Sequence, residues 1–367
     1  MATCGQCAHR FHGVTEPGRD CYQSELPARL ERFLAARLPD ASEVAVSGCE
    51  PLPGGYSCRL TRFTARIYGS ERQLVARADP EPGTGFLATD RDREWAVVKS
   101  LTDTGSRMLP AALWYDADGS ELGARTFITE FVEGGTLGAA VQSCPPEDLS
   151  GHADRLCDLM TYIHAKDPDA LPDAIERPSH WDDYFMASVE TWRQAEAAHV
   201  ESLPAVRFLA SWLEEHRPPP APLTLVHGDF QAPNVMIGPD GEYLAIDWEF
   251  ARVADPREDM GWFKMVHSIQ PPDLIGLDDE QFCARYRDRS GLGSDVINPL
   301  TLAYFTILPG GRLLEPLLQG LRAIDAGMDA PVLTAYQIDI VATLLERWTA
   351  TAWALEPRLR AGWEAAA

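Results

Sequence analysis

Two kinds of hydrophobic pattern divide the sequence near Gly134-Gly135 and constrain its fold more than any other feature. Before this pair, short β-like runs alternate with turn residues at 43–48, 61–68, 72–78, 111–115 and 125–132. A helix at 24–38 precedes these runs, and a charged helix at 90–101 interrupts them. After the pair, the spacing of apolar residues is mainly helical. The pattern predicts a small antiparallel-sheet lobe followed by a larger helical lobe.

The length of the chain fits this division. A chain of 367 residues with 45% hydrophobic content can bury a large core, and such chains commonly fold as two lobes or domains. We expect an α+β fold with a flexible extension at 1–23, an N-lobe at 24–133 and a C-lobe at 134–367. The amphipathic stretches of the C-lobe are 147–165, 181–197, 203–216, 278–287, 299–308, 311–326 and 331–354.

Charge and hydropathy exclude two classes of partner. The formal net charge of −23 repels polyanions, and a nucleic-acid surface needs clustered Lys and Arg, so no nucleic-acid partner is expected. The same charge would attract a cationic substrate, but it is also typical of a solvating surface. No run approaches the roughly 20 apolar residues of a membrane helix, and the N-terminus lacks an apolar signal core. We therefore expect a cytoplasmic protein without a membrane partner.

The cysteine content does not indicate a disulfide framework. The chain has eight cysteines without secretory features, which predicts mostly reduced, buried thiols. One cluster near the N-terminus leaves a zinc site open: Cys4, Cys7, His9, His12 and Cys21. Cys4 and Cys7 have the C-x-x-C spacing, but no second ligand pair completes a tetrahedral site.

A polar loop between two apolar strands carries the strongest chemical signal. The loop reads H-G-D-F-Q-A-P-N at 227–234, and a further apolar run ends at Asp247. Phosphoryl transfer needs a substrate hydroxyl oriented in line with the leaving group, a divalent cation, and positive charge near the phosphates. Asp229 suits the role of proton acceptor, and Asn234 and Asp247 offer the oxygen ligands that Mg²⁺ prefers. The alternative is an ordinary polar hairpin in which these residues only form turns.

The combination of H-G-D-x-x-x-x-N at 227–234 with I-D-W-E at 246–249 resembles the aminoglycoside phosphotransferase and choline kinase family. These enzymes are small-molecule relatives of protein kinases, so the resemblance implies a two-lobed protein-kinase-like fold, with ATP and Mg²⁺ as cofactors. The segment 255–261 is similar to the family's continuation, in which Asp259 would brace the catalytic loop by hydrogen bonding.

The resemblance also implies nucleotide contacts in the N-lobe. The loop containing Gly54, Gly55, Tyr56 and Ser57 would cover the phosphates, because glycine lets backbone amides approach them. Arg77 lies where the family's third strand usually has Lys, and Glu94 would be its partner carboxylate. Arginine is a planar fork rather than a compact ammonium, so the sequence does not decide whether Arg77 supports full activity. The alternative is that Arg77 only forms a surface ion pair with a nearby acidic residue.

The strand at 127–132 resembles the kinase hinge. The backbones of Glu130 and Val132 would pair with the edge of adenine, or of guanine if GTP is the donor. Trp262 follows the metal segment closely enough to line an acceptor pocket. The helical histidines His164, His180, His199 and His267 are expected to be packed or surface residues.

The sequence thus predicts an ATP-dependent phosphotransferase whose acceptor is a hydroxyl of a small molecule. An antibiotic, a choline-like alcohol, a sugar and a hydroxy-acyl metabolite all remain open as acceptors. Alternatives are a kinase of Ser or Thr in a peptide, as in natural-product maturation, and a pseudokinase that binds nucleotide as a scaffold.

Overall fold

The structure is a computed structural model and describes residues 17–38, 44–53, 57–80, 90–198, 203–269, 277–325, 332–360 and 362–363. The predicted phosphate-loop residues Gly54, Gly55 and Tyr56 lie outside these ranges, as does the proposed zinc cluster apart from Cys21, whose side chain is not described.

The predicted β-like runs form a single sheet in the described part of the chain. Its strands are β1 (Val44–Pro51), β2 (Arg59–Ile67), β3 (Ser70–Ala78), β4 (Ala112–Asp116) and β5 (Thr126–Glu130). Their order is β1-β2-β3-β5-β4, and β1 with β2, β2 with β3 and β3 with β5 pair antiparallel. The strands coincide with the predicted runs to within a few residues.

A two-residue turn fixes the register of the longest strand pair. Tyr68 and Gly69 connect β2 to β3 and have φ angles of 51° and 77°. Two successive residues with positive φ form a turn whose twist matches that of the flanking strands. Ile67 therefore pairs directly with Ser70, and the register continues back to Arg59 and Ala78.

The first helix, α1 (Pro17–Arg37), is held by an apolar stripe. Leu26, Leu30, Phe33 and Leu34 are fully buried, at the i, i+4, i+7, i+8 spacing of one helix face. The helix begins before the predicted start at residue 24 and therefore includes residues 17–23.

Most of the remaining helices follow the predicted helical stretches. α2 (Arg91–Asp103) is capped by Asp90, whose carboxylate accepts a hydrogen bond from the backbone N–H of Arg93 at 3.1 Å. The others are α3 (Leu137–Gln142), α4 (Leu149–His164), α5 (Trp181–Ala198), α6 (Pro204–Glu215), α7 (Arg257–Ile269), α8 (Asp279–Ser290), α9 (Pro299–Phe305), α10 (Gly310–Asp325) and α11 (Val332–Leu359). By contrast, α3 and α7 correspond to none of the delimited stretches. The sequence pattern places His267 in a helical stretch but does not delimit α7.

Two short sheets carry the polar loop. β6 (Gly135–Thr136), β8 (Val235–Ile237) and β9 (Tyr243–Ala245) form one, in the order β6-β8-β9. β7 (Thr224–Val226) and β10 (Arg252–Ala254) form the other. The strands that flank the loop, β7 and β8, thus belong to different sheets, so the loop is not the turn of a simple hairpin.

The chain divides into two units, and the loop belongs to the larger one. One unit comprises Met1–Asp79 and Trp114–Glu130, and the other comprises Pro80–Leu113 and Phe131–Ala367. Helix α2 therefore belongs to the larger unit. The predicted lobe boundary near residue 133 stays a prediction.

The β7–β10 ribbon lies between two hydrophobic clusters of the larger unit. Leu225 and Val253 are buried in one cluster, and Val226 and Ala254 are buried in the other. Because successive residues of a strand point to opposite faces, a three-residue strand is anchored on both sides. This double anchoring fixes the point at which the polar loop leaves β7.

Two further sequence expectations concern bulk properties. Within the described residues, no helix combines the length and apolarity needed to cross a membrane. The described cysteines are free thiols; Cys58, Cys157 and Cys283 are buried, whereas Cys49 and Cys144 are partly exposed.

Gly134 provides a test of how closely the backbone before β6 packs against the end of β8. Its φ is 141°, and a Cβ there would overlap the carbonyl oxygen of Ile237. Gly134→Ala should lower the free energy of unfolding by about 2–4 kcal/mol, because both the conformation and the space exclude a side chain. Gly135→Ala is the matched control, since a Cβ at Gly135 meets nothing within 4 Å. Urea unfolding of both variants measures the difference, and equal losses would contradict this packing.

Candidate active site

The polar loop begins with a conformation that only glycine accepts readily. Gly228 has a φ of 81°, and a Cβ there would overlap the carbonyl oxygen of Phe250. The loop therefore passes directly against the segment that follows Asp247. This close approach explains the glycine in the H-G-D motif.

Three side chains donate hydrogen bonds to the carboxylate of Asp229. Trp262 Nε1 donates to Oδ1 at 2.7 Å, and Asn234 Nδ2 donates to Oδ2 at 2.7 Å. Gln231 Nε2 lies between the two oxygens, at 2.8 Å from Oδ1 and 2.9 Å from Oδ2. The carboxylate is thus held at both oxygens in a partly buried position.

The surroundings of Asp229 make it a better proton acceptor than an exposed carboxylate. Burial raises its pKa above the usual range, and the nearby negative charge of Asp247 acts in the same direction. The charge of His227 and the hydrogen bonds from Gln231 and Trp262 lower the pKa without cancelling the effect of burial. A raised pKa is what a general base near neutral pH requires.

The orientation of the Asn234 amide leaves its oxygen for another partner. Nδ2 donates both to Oδ2 of Asp229 and to the backbone oxygen of Asp229, the latter at 3.0 Å. The backbone of Asn234 is also fixed, because its oxygen accepts a hydrogen bond from Ile246 N at 2.9 Å. Since the nitrogen is used within the loop, Oδ1 is the atom that suits a metal ion.

Asp247 has a strained backbone that its neighbours maintain. Its φ of 70° is unusual for a residue other than glycine, and such conformations concentrate at functional sites. On one side, His227 Nε2 donates to Ile246 O at 2.9 Å. On the other side, Arg93 of α2 donates to Glu249 O at 2.7 Å. The segment that carries Asp247 is therefore fixed at both ends.

These donors fit magnesium better than a softer metal. The amide oxygen of Asn234 and the carboxylate of Asp247 are hard oxygen ligands, and Mg²⁺ uses few protein ligands together with phosphate and water. Across the described ranges, no group of three or more His, Cys, Asp or Glu side chains is arranged to hold a metal ion. The assignment of Asn234 and Asp247 to a metal stays a prediction.

Asp259 of α7 braces the start of the loop, as the sequence resemblance implied. Its carboxylate accepts hydrogen bonds from His227 N at 2.8 Å and Gly228 N at 2.9 Å. His164 Nε2 is 3.0 Å from the same carboxylate, and His164 Nδ1 is 2.6 Å from the hydroxyl of Tyr286. Burial alone would raise the pKa of Asp259, but the hydrogen bond and charge of His164 bring it below its usual range.

Successive residues of helix α7 contact successive residues of the loop. Asp259 contacts the backbone of residues 227–228, Trp262 contacts Asp229, and the ring of Phe263 lies 6.4 Å from that of Phe230. One turn later, His267 Nε2 accepts a hydrogen bond from the backbone N–H of Ala232 at 3.4 Å. The helix therefore supports the loop along most of its length.

His267 is neutral in the folded protein. The imidazole is buried between Phe263, whose ring centroid is 4.2 Å away, and the loop, and burial lowers its pKa to about 4. An unfolded histidine titrates near 6.5. Between these pH values the unfolded state binds more protons, so the stabilising contribution is complete above about 6.5 and is lost as the pH falls towards 4.

Replacing His267 should therefore flatten the pH dependence of stability. Between pH 6.5 and 4 the free energy of unfolding of His267→Gln should fall by less than that of the wild type, by an amount on the order of 3 kcal/mol. Urea unfolding at several pH values measures this slope. His180→Gln removes an exposed imidazole and is the control. Parallel slopes for the wild type and His267→Gln would contradict the prediction.

The predicted nucleotide-binding residues of the smaller unit lie on or next to its sheet. Arg77 is buried on β3, where it pairs with Leu60 on one side and Phe127 on the other. Ser57 is buried just before β2, and Glu130 at the end of β5 forms an ion pair with Arg72 at 3.0 Å. Their roles stay predictions.

Two predicted residues belong to the larger unit. Glu94 is buried in the first turn of α2, where it forms an ion pair with the fully buried Arg91. Val132 lies two residues after the end of β5. The pairing of Glu94 with Arg77 and the contact of Val132 with a base stay predictions.

Sequence reasoning missed several contacts of Asp229 and of the metal segment. Trp262 was expected only to line an acceptor pocket, and Gln231 and Arg93 were given no role. The hydrogen bonds from Trp262 to Asp229 and from Arg93 to Glu249 join residues 33 and 156 positions apart, so no local sequence pattern predicts them. For Gln231, the position two residues after Asp229 in the H-G-D-x-x-x-x-N loop could have predicted a contact with that carboxylate.

The chain matches the model of a known protein family over a range that includes the polar loop. The model of the phosphotransferase enzyme family matches residues 48–292, which is more than half of the chain. Among curated proteins, the chain is 29% identical over 217 residues to acyl-CoA dehydrogenase family member 10 of Mus musculus. It is also 29% identical over 244 residues to acyl-CoA dehydrogenase family member 11 of Gallus gallus. The matches span 58% and 64% of this chain but only 20% and 30% of those longer proteins.

Solved structures show the same fold. A candidate aminoglycoside phosphotransferase of Ralstonia eutropha superposes with a TM-score of 0.68 at 22% identity, over 89% of this chain and 98% of that one. A complex of aminoglycoside phosphotransferase APH(4)-Ia with ADP and hygromycin B has a TM-score of 0.56 at 20% identity, over 88% and 97%. A choline/ethanolamine kinase family protein of Mesorhizobium loti has a TM-score of 0.55 at 16% identity, over 91% and 98%. The protein-kinase-like α+β fold expected from the sequence is confirmed.

Proposed function

The chain belongs to the phosphotransferase enzyme family, and from this premise we propose that it transfers the γ-phosphate of ATP to a hydroxyl group of a small molecule. The observation that carries the proposal is the set of contacts between Asp229, Asn234 and the segment of Asp247. These contacts support the proposal because they link a carboxylate that would accept a proton to two residues that would offer oxygen ligands, as phosphoryl transfer requires.

In the proposed reaction, Asp229 accepts the proton of the attacking hydroxyl. The hydroxyl oxygen forms a bond to the γ-phosphorus as the bond from this phosphorus to the bridging oxygen of ADP breaks. The products are a phosphate ester and ADP, and the proton leaves Asp229 to solvent. Asn234 and Asp247 would hold Mg²⁺, which neutralises charge on the phosphates. Arg77, with Glu94 as its partner, would add positive charge at the phosphates.

The nucleotide is proposed to contact the residues that the family resemblance implies. Gly54, Gly55, Tyr56 and Ser57 would cover the phosphates with backbone amides. The backbones of Glu130 and Val132 would pair with the base. Complexes of APH(4)-Ia with ADP and with AMP-PNP support an adenine nucleotide as the donor, and a GDP complex of aminoglycoside 2'-phosphotransferase-IIIa supports testing GTP beside ATP.

Thermal unfolding with ATP, with Mg²⁺ and with both tests the nucleotide site. Because a ligand that binds only the folded state raises its stability by mass action, the largest rise in Tm should require both together. Saturation at 100 times the dissociation constant corresponds to about 2.7 kcal/mol. No shift under any of these conditions would contradict the proposed function and favour a scaffold that does not bind nucleotide.

Asp229→Ala separates catalysis from binding. We expect the variant to lose turnover by at least about 100-fold, because the proton acceptor is absent, while it retains the nucleotide-dependent rise in Tm. ADP release in the presence of an acceptor measures turnover. Loss of both properties together would assign Asp229 to folding instead.

The acceptor is to be found by screening. The net charge of −23 supports including cationic acceptors such as aminoglycosides and choline-like alcohols. The names of the curated relatives support including hydroxyl-bearing acyl thioesters. Sugars and Ser- or Thr-containing peptides complete the set. Acceptor-dependent ADP release and an increase of the acceptor's mass by one phosphoryl group identify the substrate, and a peptide product would replace the small-molecule proposal.

A further inference from the structure

All favourable acceptor positions of the Asp229 carboxylate are occupied by side chains of the protein. Each carboxylate oxygen has two lone pairs in the carboxylate plane. Oδ1 accepts from Trp262 and Gln231, and Oδ2 accepts from Asn234 and Gln231. A hydroxyl that is to give its proton to Asp229 must therefore displace one of these donors.

Gln231 is the donor best able to leave. Trp262 lies on α7 and packs against the hydrophobic cluster around Trp192 and Tyr304, which fixes its indole. Asn234 also donates to the backbone oxygen of Asp229, so it is held by a second bond. By contrast, both hydrogen bonds of the Gln231 side chain go to the carboxylate itself, so nothing else among its hydrogen bonds holds the amide in place.

The position of the Gln231 amide is also the one that an acceptor would need. Nε2 bridges both oxygens at nearly equal distances of 2.8 and 2.9 Å, whereas Trp262 contacts only Oδ1 and Asn234 contacts only Oδ2. A hydroxyl placed there would donate to Asp229 without disturbing the other two donors. The amide thus stands where a hydroxyl would otherwise bind.

We propose that Gln231 is a specificity-determining residue that occupies the hydroxyl position of the active site, excludes water from Asp229, and gives way only to a bound acceptor. This inference rests on the proposed function. An acceptor gains binding energy from the rest of its surface and can offset the loss of the Gln231 hydrogen bonds. A water molecule has no such additional surface, so it gains less binding energy to offset that loss.

The reaction that Gln231 suppresses is hydrolysis of the nucleotide. In it, the oxygen of water forms a bond to the γ-phosphorus, and the bond to the bridging oxygen of ADP breaks. Asp229 takes one proton of the water and later returns it to solvent. The products are ADP and inorganic phosphate, so ATP is consumed without an acceptor being phosphorylated.

The test is ATP hydrolysis in the absence of any acceptor, and it does not require the acceptor to be known. Gln231→Ala removes the amide, so phosphate release with Mg²⁺ and ATP should rise by about tenfold over the wild type. Asp229→Asn combined with Gln231→Ala should abolish this rise, because the water again lacks a proton acceptor. Tm with and without Mg²⁺ and ATP is measured on the same samples.

Two further variants control for indirect effects. Gln281→Ala removes an exposed glutamine amide that closes the capping box of α8 in the same unit. It should leave acceptor-free hydrolysis unchanged. Gln231→Met keeps the length of the side chain but cannot donate, and it should also raise hydrolysis. This variant keeps the test decisive if Gln231→Ala does not fold.

The outcomes separate this inference from the proposed function. A nucleotide-dependent Tm shift with no rise in hydrolysis in either Gln231 variant would overturn the role of Gln231 alone. A fall in hydrolysis would overturn it too, and would assign Gln231 to the phosphates. Absence of a Tm shift in the wild type would overturn the proposed function and, with it, this inference.

Discussion

The catalytic loop depends on one buried carboxylate. Asp259 accepts the backbone N–H groups of His227 and Gly228, and its charge is stabilised by His164. Hydrogen bonds to an ionised acceptor are stronger than neutral ones, and removing such a buried acceptor would leave two amides unsatisfied. The turn that precedes Asp229 is thereby defined from outside the loop, by a helix more than twenty residues further along the chain.

From this anchor the other contacts follow in sequence along α7. Trp262 reaches Asp229, Phe263 packs near Phe230, and His267 accepts a hydrogen bond from Ala232. A helix is a rigid support, so it presents these groups at fixed spacing to a segment with little regular structure of its own. The positions of the loop residues are thus fixed by their contacts with helix α7.

The same loop is linked to the metal segment by direct bonds. Asn234 O accepts from Ile246 N, and His227 donates to Ile246 O, so the two predicted ligands Asn234 and Asp247 are held within one hydrogen-bonded unit. Arg93 of α2 adds a bond to Glu249 O. Such cross-connections allow the strained backbone of Asp247 to persist, because the surrounding structure over-determines it.

The sequence by itself determined most of the order of elements and the H-G-D and I-D-W-E motifs, because hydrophobic periodicity and motif spacing are local properties. Through the family resemblance of these motifs, the sequence also implied the kinase-like fold. It also indicated the bracing role of Asp259 through family resemblance. Only the tertiary structure decided which side chains meet at Asp229. Trp262 lies 33 residues from it in the chain, and α7 is buried or partly buried along nearly its whole length, so neither periodicity nor spacing marks its contact with the loop. Hydrogen bonds between distant segments depend on packing, which a linear pattern does not record.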